Sequence, residues 1–405
     1  MIIRISKPYL VNETSHNCVR LSADIEADGD CFTLWYEVEE DYAQYLTTER
    51  CDSFVVVLLP WAMMKAKKLK QSITLLCEGY VSGKLWHHLT YYYIPILSRK
   101  ISYYASVDIK AETSSETLPS KKGVCASISG GLDSFYTITK YMKHPVVAYQ
   151  LTHVLFCDYG LYGFNIGSEA DLKVVAKTER IAHIAGLEYV KINSNVIQAL
   201  YRAGHGPIVP AIITSTVLSL QKLISVFHYS SADPAWAFQM NEEQAACYDL
   251  LNLYCIGTEN TDFCLSGMEV TRLDKAAYVA DSSLVQENLL VCETQVNAEN
   301  CSICANCTHT MAEFEVLGKL DLFSRVFDVN AFRKNAGYYW GYMVLKSKGS
   351  ETGLYVEETK DILNLYAKRY GRFSLKVYWA AFMKWIKRGF TTQNTSRRKV
   401  ENEVR

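Results

Sequence analysis

The sequence predicts an α/β protein. A mostly parallel, doubly wound sheet is expected over residues 123–330, preceded by a strand-rich α+β domain over residues 1–112. Three observations predict this. From Val124 onward, short apolar runs alternate with amphipathic stretches, as parallel strands joined by right-handed helical crossovers require. Before residue 112, apolar and aromatic runs are separated mainly by turn signals. Near the end of the sheet region, Cys292, Cys301, Cys304 and Cys307 are spaced as ligands of a single ion.

The elements follow in order. Residues 21–42, LSADIEADGDCFTLWYEVEEDY, carry Asp-Gly-Asp between two apolar runs, a hairpin signal. SFVVVLLPW (53–61) reads as a buried strand stopped by Pro60. KLWHHLTYYYIPILS (84–98) reads as a helix, and ISYYASVDIKAE (101–112) returns to alternation. ETSSETLPSKK (112–122) is polar and carries a proline, so a linker is expected over 113–122. Beyond it, Val124–Ile128 is a buried strand, followed by a glycine turn and a helix with an apolar face of Phe135, Ile138 and Met142. HPVVAYQLTHVLFCDYG holds one or two strands. Ser168, with Asp171 three residues on, caps a helix that Gly186 ends. LEYVKI, ISVFHYS and DFCLSG are strands; Ile208–Leu223 and Thr271–Ala280 are helices. Residues 331–405 form a helical extension with a basic, frayed tail from Ile386.

Composition narrows the function classes. The 405 residues are 49% hydrophobic and 21% charged, which excludes a largely disordered or collagen-like chain. With 42 Lys plus Arg against 43 Asp plus Glu, the net charge is −1, and no chain-wide affinity for nucleic acid or membrane is expected. The first residues lack a signal-peptide apolar region, and the longest apolar run, Phe54–Met64, falls short of the roughly 20 residues of a membrane span. A soluble, cytoplasmic protein with reduced thiols is expected. Nine of the 13 cysteines are scattered and read as small buried hydrophobes.

Ser129-Gly130-Gly131-Leu132-Asp133-Ser134 lies between a strand and a helix. Two glycines let the backbone approach a ligand and present its amides, and a helix N-terminus adds partial positive charge. The Ser129 and Ser134 hydroxyls can donate to phosphate oxygens. This is a pyrophosphate cradle without the spacing or lysine of a Walker A loop, and it is not GxGxxG. The alternative is a tight turn with Ser and Asp as caps.

Cys292-x8-Cys301-x2-Cys304-x2-Cys307 offers four soft ligands and no open position. That describes a structural tetrahedral zinc site, with an iron–sulfur cluster as the rival. Cys292 is expected at the end of a strand, LLVC, and His309 as a bystander.

The glycine segment resembles the PP-loop of the N-type ATP pyrophosphatases, whose fold is HUP-like. The resemblance implies that Ser129, Gly130, Gly131, Leu132, Asp133 and Ser134 hold the phosphates of ATP, and that Asp133 helps bind Mg2+. Within that group the cysteine segment is similar to the zinc site of QueC-like proteins, the 7-cyano-7-deazaguanine synthases. Leu273-Asp274-Lys275-Ala276 looks like their lysine-bearing helix start, and Asp158-Tyr159-Gly160 like their DYG segment. These landmarks lie in the same order over residues 124–310.

The resemblance implies an enzyme that adenylates a carboxylate, a 7-deazaguanine in the family, releases pyrophosphate, and passes the acyl group to an amine. Arg272 and Lys275, one turn apart, would face the α-phosphate or the carboxylate, and Asp158 the ribose or base. Asp133, Ser134, Lys275 and Arg272 are the expected catalytic set. The chain departs from the family at HGPIVPAIITSTVLSLQ and SSADPAW, where the deazaguanine stretches would be, and in its N-terminal extension. Such extended chains occur in bacterial anti-phage operons, which implies a protein amine as a possible acceptor, with the N-terminal domain as its recognition module. Ammonia remains the other acceptor. A PP-loop sulfurtransferase acting on tRNA or a small molecule, and a non-catalytic ATP-binding partner, stay open as alternatives; the first needs a reactive cysteine near the loop.

Overall fold

The computed structural model describes residues 1–383, except 14–16, 160–165, 202–207, 243, 294–297, 349–353, 372–376, 378, 380 and 381. The expected basic tail and Gly160 lie outside the described residues. The chain divides into two compact units, Met1–Val270 and Thr271–Arg405.

The first unit is built on an eleven-stranded sheet. Its N-terminal portion supplies β1 (Ile2–Ile5), β2 (Tyr9–Glu13), β3 (Cys18–Ala27), β4 (Asp30–Glu39), helix α1 (Asp52–Leu69) and β5 (Thr74–Cys77). It continues with β6 (Val81–Ser82), α2 (Gly83–His88), α3 (Ile94–Lys100), β7 (Asp108–Lys110) and β8 (Thr113–Ser114). Then follow β9 (Gly123–Ser127), α4 (Leu132–Tyr141), β10 (His153–Asp158), α5 (Glu169–Ala185), β11 (Glu188–Ser194) and α6 (Val196–Leu200). The unit closes with α7 (Val209–Leu218), β12 (Ile224–Ser230), α8 (Asp249–Ile256) and β13 (Asp262–Ser266).

The strand order is β13-β12-β9-β10-β11-β4-β3-β1-β5-β7, with β2 beside β3 and a separate β6–β8 pair. The five strands from β13 to β11 are all parallel. The chain fills β9, β10 and β11 in one direction, then returns to lay β12 and β13 on the other side of β9. An α/β sheet of this doubly wound kind has its ligand crevice at the carboxyl ends of the strands where the order reverses, here between β9 and β12.

The N-terminal strands are not a separate layer. β11 pairs antiparallel with β4, Asn193 opposite Glu37 and Ser194 opposite Tyr36, so the two halves share one sheet. Their buried residues form one apolar core that includes Ile3, Tyr36 and Phe54 as well as Leu155, Phe227 and Ile256. The 113–122 segment, expected to be a linker, falls inside this unit, and the boundary between units comes at residue 270. Its polar groups are engaged: Leu118 exchanges hydrogen bonds with the Asn260 side chain, and Arg50 donates to the carbonyls of Ser114 and Glu116. Polar composition therefore marked a tethered crossing segment.

Two local expectations fail for physical reasons. SFVVVLLPW lies within α1, not a strand. Residues 53–60 are all buried, and an element buried on every side shows no period to separate helix from strand. Pro60 sits inside the helix, where it removes one backbone donor. LLVC is no strand: residues 289–292 carry no regular secondary structure. The Asn300 side chain takes the role of a ladder neighbour, accepting from the amides of Val291 and Cys292 and donating to the Leu289 carbonyl. By contrast, α5 begins and ends as its sequence predicts: the Ser168 hydroxyl accepts from the Asp171 amide, and Gly186 closes the helix at φ +67°. The stretch 84–98 is helical as expected, with one π-type turn at Leu89–Tyr93 between α2 and α3.

The second unit is helical. It comprises α9 (Arg272–Val279), α10 (Ser283–Asn288), α11 (Ala305–Leu317), α12 (Val329–Lys334), α13 (Ala336–Lys348) and α14 (Leu354–Tyr370). α11 is central, touching α9, α12 and α14. Phe314 and Phe323 stack in its core at 3.8 Å between ring centroids.

Candidate active site and metal centre

The glycine turn occupies the carboxyl end of β9, at the reversal of strand order. Gly130 is buried with φ +76°, a conformation that a side chain would strain. Gly131, which has no side chain of its own to cap with, is the N-cap of α4. Asp133 lies in the first turn, at the end of the helix where the dipole is positive. α4 is held on the sheet by a chain of hydroxyls: Ser230 donates to Thr137 at 2.9 Å, and Thr137 to Ser266 at 3.0 Å.

The two serines of the turn differ in role. Ser134 is buried; its Oγ donates to the Ser127 carbonyl at 2.9 Å and accepts from the Ser129 amide at 3.2 Å. Its hydrogen is committed to the turn. Ser129 Oγ accepts from the Gly131 amide at 3.2 Å, and among the described residues no acceptor takes its hydrogen. Only Ser129 of the two can donate outward without dismantling the turn.

Asp158 is the last residue of β10 and is buried, 3.5 Å from Lys191 Nζ. It heads a polar row across four strands that the sequence reading missed. Asp158 lies opposite Asn193, Asn193 opposite Glu37, and Glu37 opposite Arg20. Asn193 Nδ2 donates to Glu37 Oε1 at 2.8 Å, and Arg20 Nε to Glu37 Oε2 at 2.8 Å. The four residues run from Arg20 to Asn193, 173 positions apart in the chain, so no local pattern announces the row.

Cys125 and Cys157, on the strands β9 and β10, are held as thiols. Burial, then Cys157, pushes the Cys125 thiol well up, and burial with Asp158 pushes Cys157 to about 12. Neither is a thiolate near neutral pH, as a sulfur-transfer nucleophile must be.

The other expected residues lie in the second unit. Sγ of Cys292, Cys301, Cys304 and Cys307 all lie within 4.8 Å of one another, a cluster able to hold one metal ion such as zinc. The loop is shaped for it. Backbone amides of Cys304 and Cys307 donate to the sulfurs of Cys301 and Cys304, Cys304 is the N-cap of α11, and Ser302 adopts φ +60°. Asn300 binds both the Cys292 backbone and, at 3.8 Å, Cys307 Sγ. Sequence offered one clue to it, its position directly before Cys301. Burial raises the thiols of Cys301 and Cys307; a divalent cation supplies the charge that would reverse this. The donor set thus fits a metal.

Arg272 and Lys275 open α9. Lys275 is fully buried. Arg272 is engaged within its own unit: Nη2 donates to Thr310 at 3.0 Å, Nε lies 3.4 Å from Glu313, and its backbone amide donates to Glu358. His309 stays outside the cysteine cluster, 3.6 Å from Glu313, and burial with Arg272 nearby lowers it to about 3. It is neutral at physiological pH.

Searches against family models, curated proteins and solved structures return no match for this chain. Among the described residues no helix is long and apolar enough to cross a membrane.

Proposed function

We propose that this chain is an ATP-dependent ligase that splits ATP to AMP and pyrophosphate at the 129–134 turn. It activates a carboxylate as its acyl-adenylate and transfers the acyl group to an amine. One observation carries the reading: a glycine turn that opens a helix N-terminus at the reversal of strand order in a parallel sheet. Amides at that position are fixed donors for phosphate oxygens.

A carboxylate is a poor electrophile because its leaving group would be oxide; adenylation replaces oxide by AMP. The protein's task is to hold the carboxylate in line with the α-phosphate and to stabilise charge there. In this reading Ser129 Oγ and the turn amides bind phosphate oxygens, Gly130 and Gly131 permit the close approach, and Ser134 keeps the turn in shape. Leu132 is buried as the first helical residue and anchors the turn. Mg2+, held with the help of Asp133, would neutralise the departing pyrophosphate. Asp158 is a ribose or base contact, and Lys275 and Arg272 contribute charge as the resemblance implies. A structural zinc in the four-cysteine cluster sets the helices of the second unit. The substrate class is a 7-deazaguanine carboxylate and the acceptor ammonia or a protein amine. The raised thiols of Cys125 and Cys157 speak against the sulfurtransferase alternative.

Pyrophosphate exchange into ATP tests the reading. Full-length protein with Mg2+ and 7-carboxy-7-deazaguanine should give carboxylate-dependent exchange, with AMP as the nucleotide product. ADP and phosphate as products would refute it.

A further inference from the structure

A buried carboxylate with one bare oxygen, Asp249, opens the helix that follows β12, the strand beside β9. Register pairs Phe227 with Cys125 and His228 with Ala126. Ser231 therefore leaves β12 about level with Ser129 beyond β9, across the reversal of strand order. Just beyond β12 the chain crosses the carboxyl end of β13: the Ser231 amide donates to Ser266 O and the Ala235 amide to Met268 O. The segment ends at Asp249, the first residue of α8.

Asp249 is 3% exposed. Its Oδ1 accepts from Asn252 Nδ2 at 3.1 Å, and Asn252 is itself fixed, accepting from the Tyr93 hydroxyl at 3.2 Å and donating to Ala245 O at 3.1 Å. Oδ2 has no hydrogen-bond partner among the described residues. A buried oxygen of this kind costs stability unless a ligand uses it.

We infer that Asp249 is the general base that takes the proton from the attacking amine in the second half of the proposed reaction; this rests on the adenylation reading above. The amine lone pair forms the new C–N bond. The C–O bond to the phosphate breaks, and its electron pair leaves on AMP. The proton released by nitrogen passes to Oδ2 and then to water.

The surroundings suit a base. Burial, and the charge of Asp233 beyond it, outweigh the Asn252 hydrogen bond and raise Asp249 to about 7, near the working optimum for proton transfer at neutral pH. The other titratable groups facing it are Cys247 and Tyr248 from its own segment, Tyr229 from β12 and Tyr93 from the turn after α2. All are raised mainly by burial and are neutral at pH 7.

The test separates the half-reactions in full-length protein, with 7-carboxy-7-deazaguanine as the carboxylate probe and ammonium as the amine. Asp249→Asn preserves shape. It should keep pyrophosphate exchange within about threefold of wild type, yet lose amide formation by roughly 100-fold or more. The wild-type amide rate should rise with pH through about 7, and that rise should vanish in the variant. Hydroxylamine, unprotonated and strongly nucleophilic at pH 7, should still yield hydroxamate with the variant. Loss of exchange together with amide formation, or amide formation unchanged, overturns the assignment. A wild type without carboxylate-dependent exchange overturns the adenylation reading, and the inference with it.

Discussion

Ser134→Ala tests whether the glycine turn is held by a side chain or by the backbone alone. The hydroxyl bridges Ser127 O and the Ser129 amide at 2.9 and 3.2 Å and is nearly excluded from water. Its loss orphans one acceptor and one donor inside the turn. An unsatisfied buried group costs about 1–3 kcal/mol, and partial access by water brings the total toward the middle of that range, about 2 kcal/mol. Ser129→Ala removes an acceptor for the Gly131 amide at a half-buried position and should cost about 1 kcal/mol or less. Urea unfolding of the two variants measures both values. Calorimetry with a non-hydrolysable ATP analogue should then find both weakened for nucleotide, Ser134→Ala through a misplaced turn and Ser129→Ala through a missing donor. If Ser134→Ala is as stable as wild type, the hydroxyl does not hold the turn, and the division of roles between the serines is wrong.

Elemental analysis should find about one zinc per chain. Cys304→Ser or strong chelation should unfold the second unit, because zinc held by thiolates in small peptides binds with about 10–16 kcal/mol; stoichiometric iron would refute this. Asp52 and Asp249 are raised by burial to about 6 and about 7, so each holds its proton more tightly folded than unfolded. Stability should therefore fall as pH rises from about 4 to about 7, by up to about 1.4 kcal/mol per pH unit for each group. Asp52→Asn should flatten the part of that slope below about pH 6 in urea titrations, and an unchanged slope would refute the assignment. Arg50 is 2% exposed, pairs with Glu259 at 3.1 Å and binds two carbonyls of the crossing segment. Arg50→Met should cost about 1–3 kcal/mol by leaving the Ser114 and Glu116 carbonyls without a donor, since Glu259 keeps its hydrogen bonds from Ser82 and the Lys84 amide, and deleting residues 1–118 should leave insoluble protein. A well-folded, soluble truncation would contradict the shared core.

Legibility from sequence followed the locality of each signal. α5 could be read with both ends because Ser168, Asp171 and Gly186 act within a few residues of the helix they cap. The glycine turn and the cysteine cluster could be read because their spacing is itself the geometry. α1 could not, because burial on all sides erases periodicity. Asn300 could not, because an asparagine side chain substituting for a strand leaves no repeating pattern. The shared core of the first unit was least legible: it depends on β4 meeting β11, some 150 residues later in the chain. A polar segment such as 113–122 looks the same in sequence whether it links two domains or crosses one.

That pairing changes how the N-terminal residues can influence chemistry at the turn. A tethered module would select a partner by moving as a body and would leave the nucleotide site untouched. Here Arg20 and Glu37 lie in the same cross-strand row as Asn193 and Asp158, and Asp158 ends the strand beside β9. Strands in one hydrogen-bonded sheet over one close-packed core do not shift independently. Residues 1–112 can therefore shape the site only through fixed sheet geometry: they cover the β11 edge that would otherwise be open to pairing, and they bring the charges of Glu37 and Arg20 into the row that Asp158 ends. In the proposed reading, an acceptor recognised by this half binds a surface continuous with the sheet that carries the glycine turn. Changes in the row should then alter nucleotide and acceptor binding together.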